Sequence, residues 1–382
     1  LIIMYRGLTR TLMNQSIYED LSEHIHKWGQ SLGFQQVGIS DIDLEIHEQY
    51  LHDWLKQDFN GDMQYMSAHG LKRSRPGELV TDTKRIITVR MNYLPADTSP
   101  HEVLRNNNAA YVSRYALGRD YHKVIRRRLL KLWKHIQDYL AEYGLKNYRG
   151  RVFTDSAPVL EKALAEKAGL GWIGKNTMLL NREAGSWFFL GEIYTDIPLI
   201  VDDNSGINHC GSCSACIDIC PTKAIIAPYQ LDARLCISYL TIELRGIIPE
   251  HLRESIGNRI FGCDDCQLFC PWNKFSHFTN EPDFNPRHRL DSAALLELFS
   301  WTEVEFLSNT EGSAIRRTGY EGWQRNIAIA LGNANYDERI THELNEKNRV
   351  ASSMLIEHID WALKKQTEKQ ADQEVSLKNN SR

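Results

Sequence analysis

Cys210-Gly-Ser-Cys213-Ser-Ala-Cys216-Ile-Asp-Ile-Cys220-Pro221 is the stretch from which the rest of the chain is read. Its C-x2-C-x2-C-x3-C-P spacing is that of bacterial ferredoxins, in which three thiolates grip one [4Fe–4S] cubane and the fourth reaches a second. Downstream, Cys263-x2-Cys266-x3-Cys270-Pro271 repeats the exit with one cysteine missing, and Cys236 is the only remaining thiol that can replace it. The pseudo-symmetric assignment gives one cluster Cys210, Cys213, Cys216 and Cys270, and the other Cys220, Cys236, Cys263 and Cys266. A pair of zinc sites, each held by four cysteines, is the alternative. Zinc ribbons use paired C-x2-C knuckles and have no need of the x3-Cys-Pro exit. The chain has 8 cysteines, all between 210 and 270, where a disulfide framework would spread them.

Two clusters alone make a wire, and 382 residues leave room for what the wire serves. No run approaches eighteen consecutive apolar residues, so no membrane span is expected. The opening Leu1-Ile-Ile-Met4-Tyr-Arg is too short for a signal-peptide core, and Met4 or Met13 could be the natural start. A cytoplasmic location and a monomer are the expectations. The net charge of −4 gives no global reason for a polyanion partner, although a local basic face would suffice for one.

The pattern suggests an N-terminal extension over 1–16 and an α/β layered domain over 17–204. A two-cluster module follows over 205–280, then a helical region over 281–366 and a disordered polar tail over 367–382. Ser16-Ile-Tyr-Glu19 reads as a capping box opening a helix to about Gly33. A strand is expected over 34–39 and a helix over 42–57. The β-branched run Arg85-Ile-Ile-Thr-Val-Arg-Met-Asn92 is a strand, and 120–143 is a long amphipathic helix. Arg151-Val-Phe-Thr154 leads as a strand into Asp155-Ser-Ala-Pro158 and a helix over 158–168. Strands 176–181 and 186–194 follow. The last helices are expected at 291–299, 302–309, 322–331 and 351–366. There is no Walker A motif, and Gly169-Leu-Gly-Trp-Ile-Gly174 follows a helix, so it is a poor dinucleotide fingerprint. Asp120-Tyr-His122 begins like a cobalamin D-x-H-x-x-G motif, but Ile125 stands where the glycine should be. A helix-capping Asp with a surface His explains it more simply.

Several segments together resemble the epoxyqueuosine reductase family. They are Tyr111-Val-Ser-Arg-Tyr-Ala-Leu-Gly-Arg-Asp-Tyr-His122, Asp155 through Asn176, Gly185-Ser-Trp-Phe-Phe-Leu-Gly-Glu192, Arg234 through Thr241, and Gly257 through Asn273. The resemblance spans about residues 17–365. It implies an α/β (α+β) cobalamin-binding core with a nitroreductase-like layered sheet, a ferredoxin-like module with two [4Fe–4S] clusters, and a HEAT-like C-terminal helical region. It implies an oxidoreductase of the last step of queuosine biosynthesis, reducing epoxyqueuosine at the wobble position of tRNA with GUN anticodons. An electron donor such as flavodoxin or ferredoxin would supply the clusters.

By the same resemblance Asp155 is the proton donor. Arg73, Ser113, Lys175, Asn176, Leu179, Leu190, Ser238, Asp264 and Asp265 match positions around the cobalamin, which would be bound base-off without a protein histidine. A helix N-terminus would favour the Asp155 carboxylate, whereas burial under a corrin would favour the acid that a donor must be. Without the resemblance Asp155 reads as an N-cap. Arg316, Arg317 and Arg325, with Tyr320 and Trp323 beside them, offer phosphate contacts and stacking surfaces for the anticodon arm. Two other functions stay open: a corrinoid reductive dehalogenase acting on a small molecule, and a ferredoxin-type carrier with no corrin.

Overall fold

The computed structural model describes residues 2–96, 99–202 and 207–380, with side-chain surroundings for 15–96, 99–202 and 207–376. Four strands form the main sheet: β1 (Gln36–Ser40), β2 (Arg85–Asn92), β3 (Gly150–Phe153) and β4 (Phe188–Thr195). Their order is β1-β2-β4-β3, and every pairing is antiparallel. The domain is therefore of mixed α+β type, without the parallel crossovers that alternating strands and helices suggested.

β2 is buried at every position after Arg85 because both faces of the sheet are covered. Helices α1 (Ile2–Ser31) and α2 (Tyr121–Glu142) lie on one face, over Ile87, Val89, Met91, Phe189 and Ile193. Trimming Ile125 or Leu129 of α2 to alanine would cost roughly 2–5 kcal/mol. Gly191 is what lets α2 sit so close: a Cβ there would stand 2.8 Å from Ile125 and 2.9 Å from Leu129. Helix α3 (Glu161–Lys167) covers the other face, against Ile86, Phe153 and Tyr194.

A second core joins Val112, Leu117, Ile237, Leu240, Ile260 and Phe261 to the C-terminal helices α4 (Gly319–Asn333), α5 (Glu338–Asn348) and α6 (Ser353–Asn380). The cysteine segment and the helical region thus share one apolar interior. Residues Trp323 to Gly332 of α4 are buried on every side.

Four expectations change. Ser16–Glu19 is not a helix start, since α1 already runs through it. Pro158 precedes α3 rather than opening it. The strand expected over 176–181 shrinks to Leu179–Leu180, which pairs with Trp172–Ile173. The tail after 367 continues α6, where Lys369 Nζ bonds the Gly332 carbonyl at 2.7 Å and Gln366 the Leu331 carbonyl at 2.8 Å. These contacts satisfy the bare carbonyls at the end of α4, which ties down a segment polar enough to suggest disorder.

Candidate active site

None of the eight cysteines is in a disulfide. Cys210, Cys213, Cys216 and Cys270 line one cavity of about 320 Å³, together with Lys175, Asn176 and Trp272. Burial raises Cys236 and Cys266; nearby Cys220 adds to both, Cys236 adds to Cys266, and Cys266 also feels Cys216 of the other group. Cys263 completes the second group's loop, its thiol 2.9 Å from an Asp265 oxygen. Burial, then the neighbouring thiols, push Cys216 up to about 11. Positive iron is what would reverse that and hold such a set as thiolates.

Several residues expected at a cobalamin also brace these loops. Lys175 Nζ reaches the carbonyls of Gly211 (2.7 Å) and Cys213 (2.9 Å) in the first group. Asn176 Nδ2 reaches the Cys266 carbonyl in the second, at 3.2 Å. Ser238 stands beside Cys236 and 3.5 Å from the Cys263 carbonyl. Asp264 is buried and accepts from Tyr111 (2.8 Å), Ser113 (2.5 Å) and the Arg114 amide (2.8 Å). Burial still lifts it above the usual carboxylate range. Asp265 is held by Arg259 at 2.7 and 2.5 Å. The side chains of Ser113, Asp264 and Asp265 are thus hydrogen-bonded within the protein. Leu179 and Leu190 pack together beneath α3 with Ala165 and Phe188.

Asp155 follows β3 in the left-handed backbone region, at φ 51°. That is uncommon for a residue with a Cβ and needs outside support. The support comes from three sides. Glu161 accepts from the Asp155 amide, Tyr121 donates its hydroxyl to the Asp155 carboxylate, and His122 Nε2 stands 3.4 Å from it. His122 is in turn 2.6 Å from Asp120, which also caps α2 through the His122 amide. Desolvation opposes charge on Asp155, but His122 and Tyr121 outweigh it and hold the carboxyl below its usual range. Desolvation likewise pushes His122 down, yet Asp120 and Asp155 lift it to about 9. At neutral pH the proton of this pair resides on the imidazole. His122 is thus a site residue that the sequence reading had left on the surface.

Asp155 keeps 52% of its side chain accessible, and Lys162 is exposed. Desolvation is nevertheless the largest influence on both. Groups that water can reach but protein surrounds form the floor of a deep cleft. Lys162 senses Asp155 and Glu161 on one side and Cys266 on the other, so it stands between the acid and the second cysteine group. Arg73 is buried beside it, with Nη2 on the Tyr65 carbonyl at 3.0 Å and Nε without a partner.

The three C-terminal arginines part company. Arg316 is exposed. Arg317 pairs with Glu243 at 2.9 Å, lies over the Tyr65 ring, and its charge reaches Asp155, which places it at the cleft. Arg325 is fully buried and cannot meet RNA: its guanidinium bonds the carbonyls of Leu240, Leu244 and Gly246. Trp323 is also buried, stacked on Trp301, so it offers no face to a base.

Residues 209–273 match the family model described as a 4Fe–4S double cluster binding domain, and 73–156 match that described as Epoxyqueuosine reductase QueG, DUF1730. The chain is 57% identical over 348 residues to an epoxyqueuosine reductase of Pseudomonas aeruginosa, covering 91% of this chain and 95% of that one. It is 55% identical over 349 residues to the Escherichia coli enzyme, covering 91% and 90%. A crystal structure of epoxyqueuosine reductase with an epoxyqueuosine-modified tRNA-Tyr stem loop superposes at TM-score 0.80, with 28% identity over 91% of this chain and 90% of that one.

Proposed function

The chain belongs to the epoxyqueuosine reductase family, and on that premise we propose that it reduces epoxyqueuosine to queuosine at the wobble position of tRNA with GUN anticodons. The observation that carries the reading is the cleft itself, with a buttressed Asp155 in it and Lys162 between that acid and the second cysteine group. Removing an epoxide oxygen as water takes two electrons and two protons, and Asp155 near the second cysteine group supports a reading in which a proton source and an electron source meet there. No described helix is long and apolar enough to cross a membrane. The protein acts as a cytoplasmic monomer supplied by flavodoxin or ferredoxin.

The two ligand sets are Cys210, Cys213, Cys216, Cys270 and Cys220, Cys236, Cys263, Cys266. The shared cavity of the first set supports this division, as does the nearness of Cys220 and Cys236 to Cys266 in the second. Cobalamin fits the cleft between Asp155 and Cys266. A corrin is rimmed with amides, and Arg73 has a buried nitrogen with no partner to offer one, beside the exposed Lys162. When bound, the cobalamin supplies the electron-rich metal that opening a strained C–O bond calls for.

The protein's own part is positioning and proton transfer. Tyr121 fixes the Asp155 carboxylate, and protonated His122 holds its proton against the same group. A ligand that displaces water from the cleft strengthens the penalty on separated charges, and the proton then passes from His122 toward Asp155. Asp155 delivers it to the departing oxygen. Arg316 and Arg317 remain the candidates for tRNA phosphates, on the exposed side of the C-terminal helices.

Anaerobic protein reconstituted with iron, sulfide and cobalamin should convert epoxyqueuosine in tRNA. Asp155→Asn should lower turnover by roughly 100-fold or more while leaving cluster content intact. Corrin binding without turnover of modified tRNA would instead indicate a small-molecule reductase, and no corrin binding an electron carrier.

A further inference from the structure

A cavity of about 370 Å³ opens at the start of α2, where three parts of the chain meet. Lys123 and Arg127, one turn apart on α2, line it together with Arg119 just before the helix. Asp283 and Arg287 come from the segment after the cysteines, and Glu311 from the loop ahead of the C-terminal helices. Backbone hydrogen bonds fix these parts to one another. The Arg119 amide donates to the Asp283 carbonyl and the Asp120 amide to the Gly312 carbonyl, both at 2.6 Å, and the Arg287 amide to the Leu117 carbonyl at 3.0 Å. The groove is therefore held by the backbone and does not depend on the chance placement of long side chains.

Arg119, Lys123, Arg127 and Arg287 face three acids in it, Asp120, Asp283 and Glu311. Two of the acids are engaged already, Asp283 with Arg119 at 3.3 Å and Asp120 with His122 at 2.6 Å. That leaves Lys123, Arg127 and Arg287 against Glu311. Lys123 and Arg127 are exposed, and neither has an ion pair or a side-chain hydrogen bond among the described residues. Arg287 gives one nitrogen to the Glu311 carbonyl at 2.8 Å. Unpaired cations along a concave wall suit an anion, and several in a row suit the repeating phosphates of a nucleic-acid backbone. None of the eight described cysteines lines the groove, so an acidic electron carrier seated there would have no direct approach to a cluster. Asp120, in contrast, lines the groove and holds His122, whose other ring nitrogen stands 3.4 Å from Asp155. One imidazole thus separates the groove from the cleft. A nucleoside inserted into the cleft stays joined to the phosphates on either side of it, and these must lie beside the mouth.

We propose that Lys123, Arg127 and Arg287 grip the RNA backbone phosphates flanking the nucleoside held at Asp155. The identity of the RNA rests on the proposed function; the demand of the groove for an anion does not.

Binding of unmodified RNA to the cluster-loaded full chain tests this without cobalamin or turnover. Fluorescence anisotropy with a labelled anticodon stem loop carrying a GUN anticodon, over a salt series, reads both the affinity and its salt dependence. Lys123→Gln/Arg127→Gln should weaken binding roughly tenfold at about 0.1 M salt. It should also lower the slope of log affinity against log salt by about 1.5, the loss of two phosphate contacts. Lys134→Gln, at an exposed cation about three turns further along α2, should do neither. Both variants should melt with the wild type, because the replaced side chains are exposed. A stem loop with uncharged methylphosphonates on either side of the wobble nucleotide then locates the contact. The wild type should bind it about as weakly as the double variant binds the natural stem loop, and the double variant should lose little more. An unchanged salt slope in the double variant, or an equal loss of both proteins on the methylphosphonate RNA, would overturn the groove, as would a wild type that binds no RNA. A protein that passes both tests and leaves epoxyqueuosine in tRNA unreduced would count against the proposed function alone.

Discussion

Replacing Arg325 by methionine should unfold the protein more easily and leave its affinity for RNA unchanged. The guanidinium donates to three carbonyls, Leu240 at 2.7 Å, Leu244 at 2.8 Å and Gly246 at 2.7 Å, and to Asn326 Oδ1 at 2.9 Å. Burial pushes Arg325 down to about 10, so it is still a cation at neutral pH. Each hydrogen bond from a charged donor contributes roughly 1.5–3 kcal/mol. Methionine fills most of the space but leaves the carbonyls without a donor, so the net loss should be about 3–5 kcal/mol, the range for breaking one partner out of a buried charged set. For a chain of 382 residues that is a fall in melting temperature of roughly 4–6 °C. Arg325→Lys should fall between, because an ammonium cannot span three carbonyls as the planar fork does. The assay is anaerobic thermal denaturation of cluster-loaded protein, with tRNA binding measured well below the transition. A normal melting curve with weakened tRNA binding would refute the reasoning, since it would put the guanidinium on the RNA.

Two further outcomes follow from the site. Cys236→Ala should reduce the cluster content from two to one by iron analysis, and retention of both full clusters would sink the ligand division. His122, lifted from 6.5 to about 9, contributes stability that is fully present below pH 6.5 and is lost as pH rises through 9. The difference of about 2.5 pH units corresponds to roughly 3 kcal/mol before screening. Water in the cleft cuts this to about 1–2 kcal/mol. His122→Gln should therefore lose less stability between pH 6 and 10 than the wild type, and parallel pH dependences would show that the imidazole is not paired with Asp120 and Asp155.

What could be read from the sequence was what depends on near neighbours. The cysteine spacings are set by the reach of short turns around a cubane, so the four-and-four division could be drawn before any fold. Arg85–Asn92 coincides with β2, and the helix expected over 302–309 is found at Glu303–Asn309, capped by Thr302. Asp120 does cap α2, as its position suggested, but the His122 contact with Asp155 joins residues 33 positions apart and leaves no local trace. Arg325 was misread because arginine beside aromatics resembles an RNA-binding surface. The correct signal was the run Asn326-Ile-Ala-Ile-Ala-Leu331 after it, which marks a helix apolar all round.

Lys175 and Asn176 are adjacent in the chain, yet one grips the loop of the first cysteine group and the other the loop of the second. A single peptide unit therefore acts as a ruler between the two metal centres. Electron tunnelling falls off exponentially with distance, so fluctuation in that spacing would appear directly as scatter in the transfer rate. With both loops pinned to one dipeptide, motion of that dipeptide would carry both centres together and limit change in the gap between them.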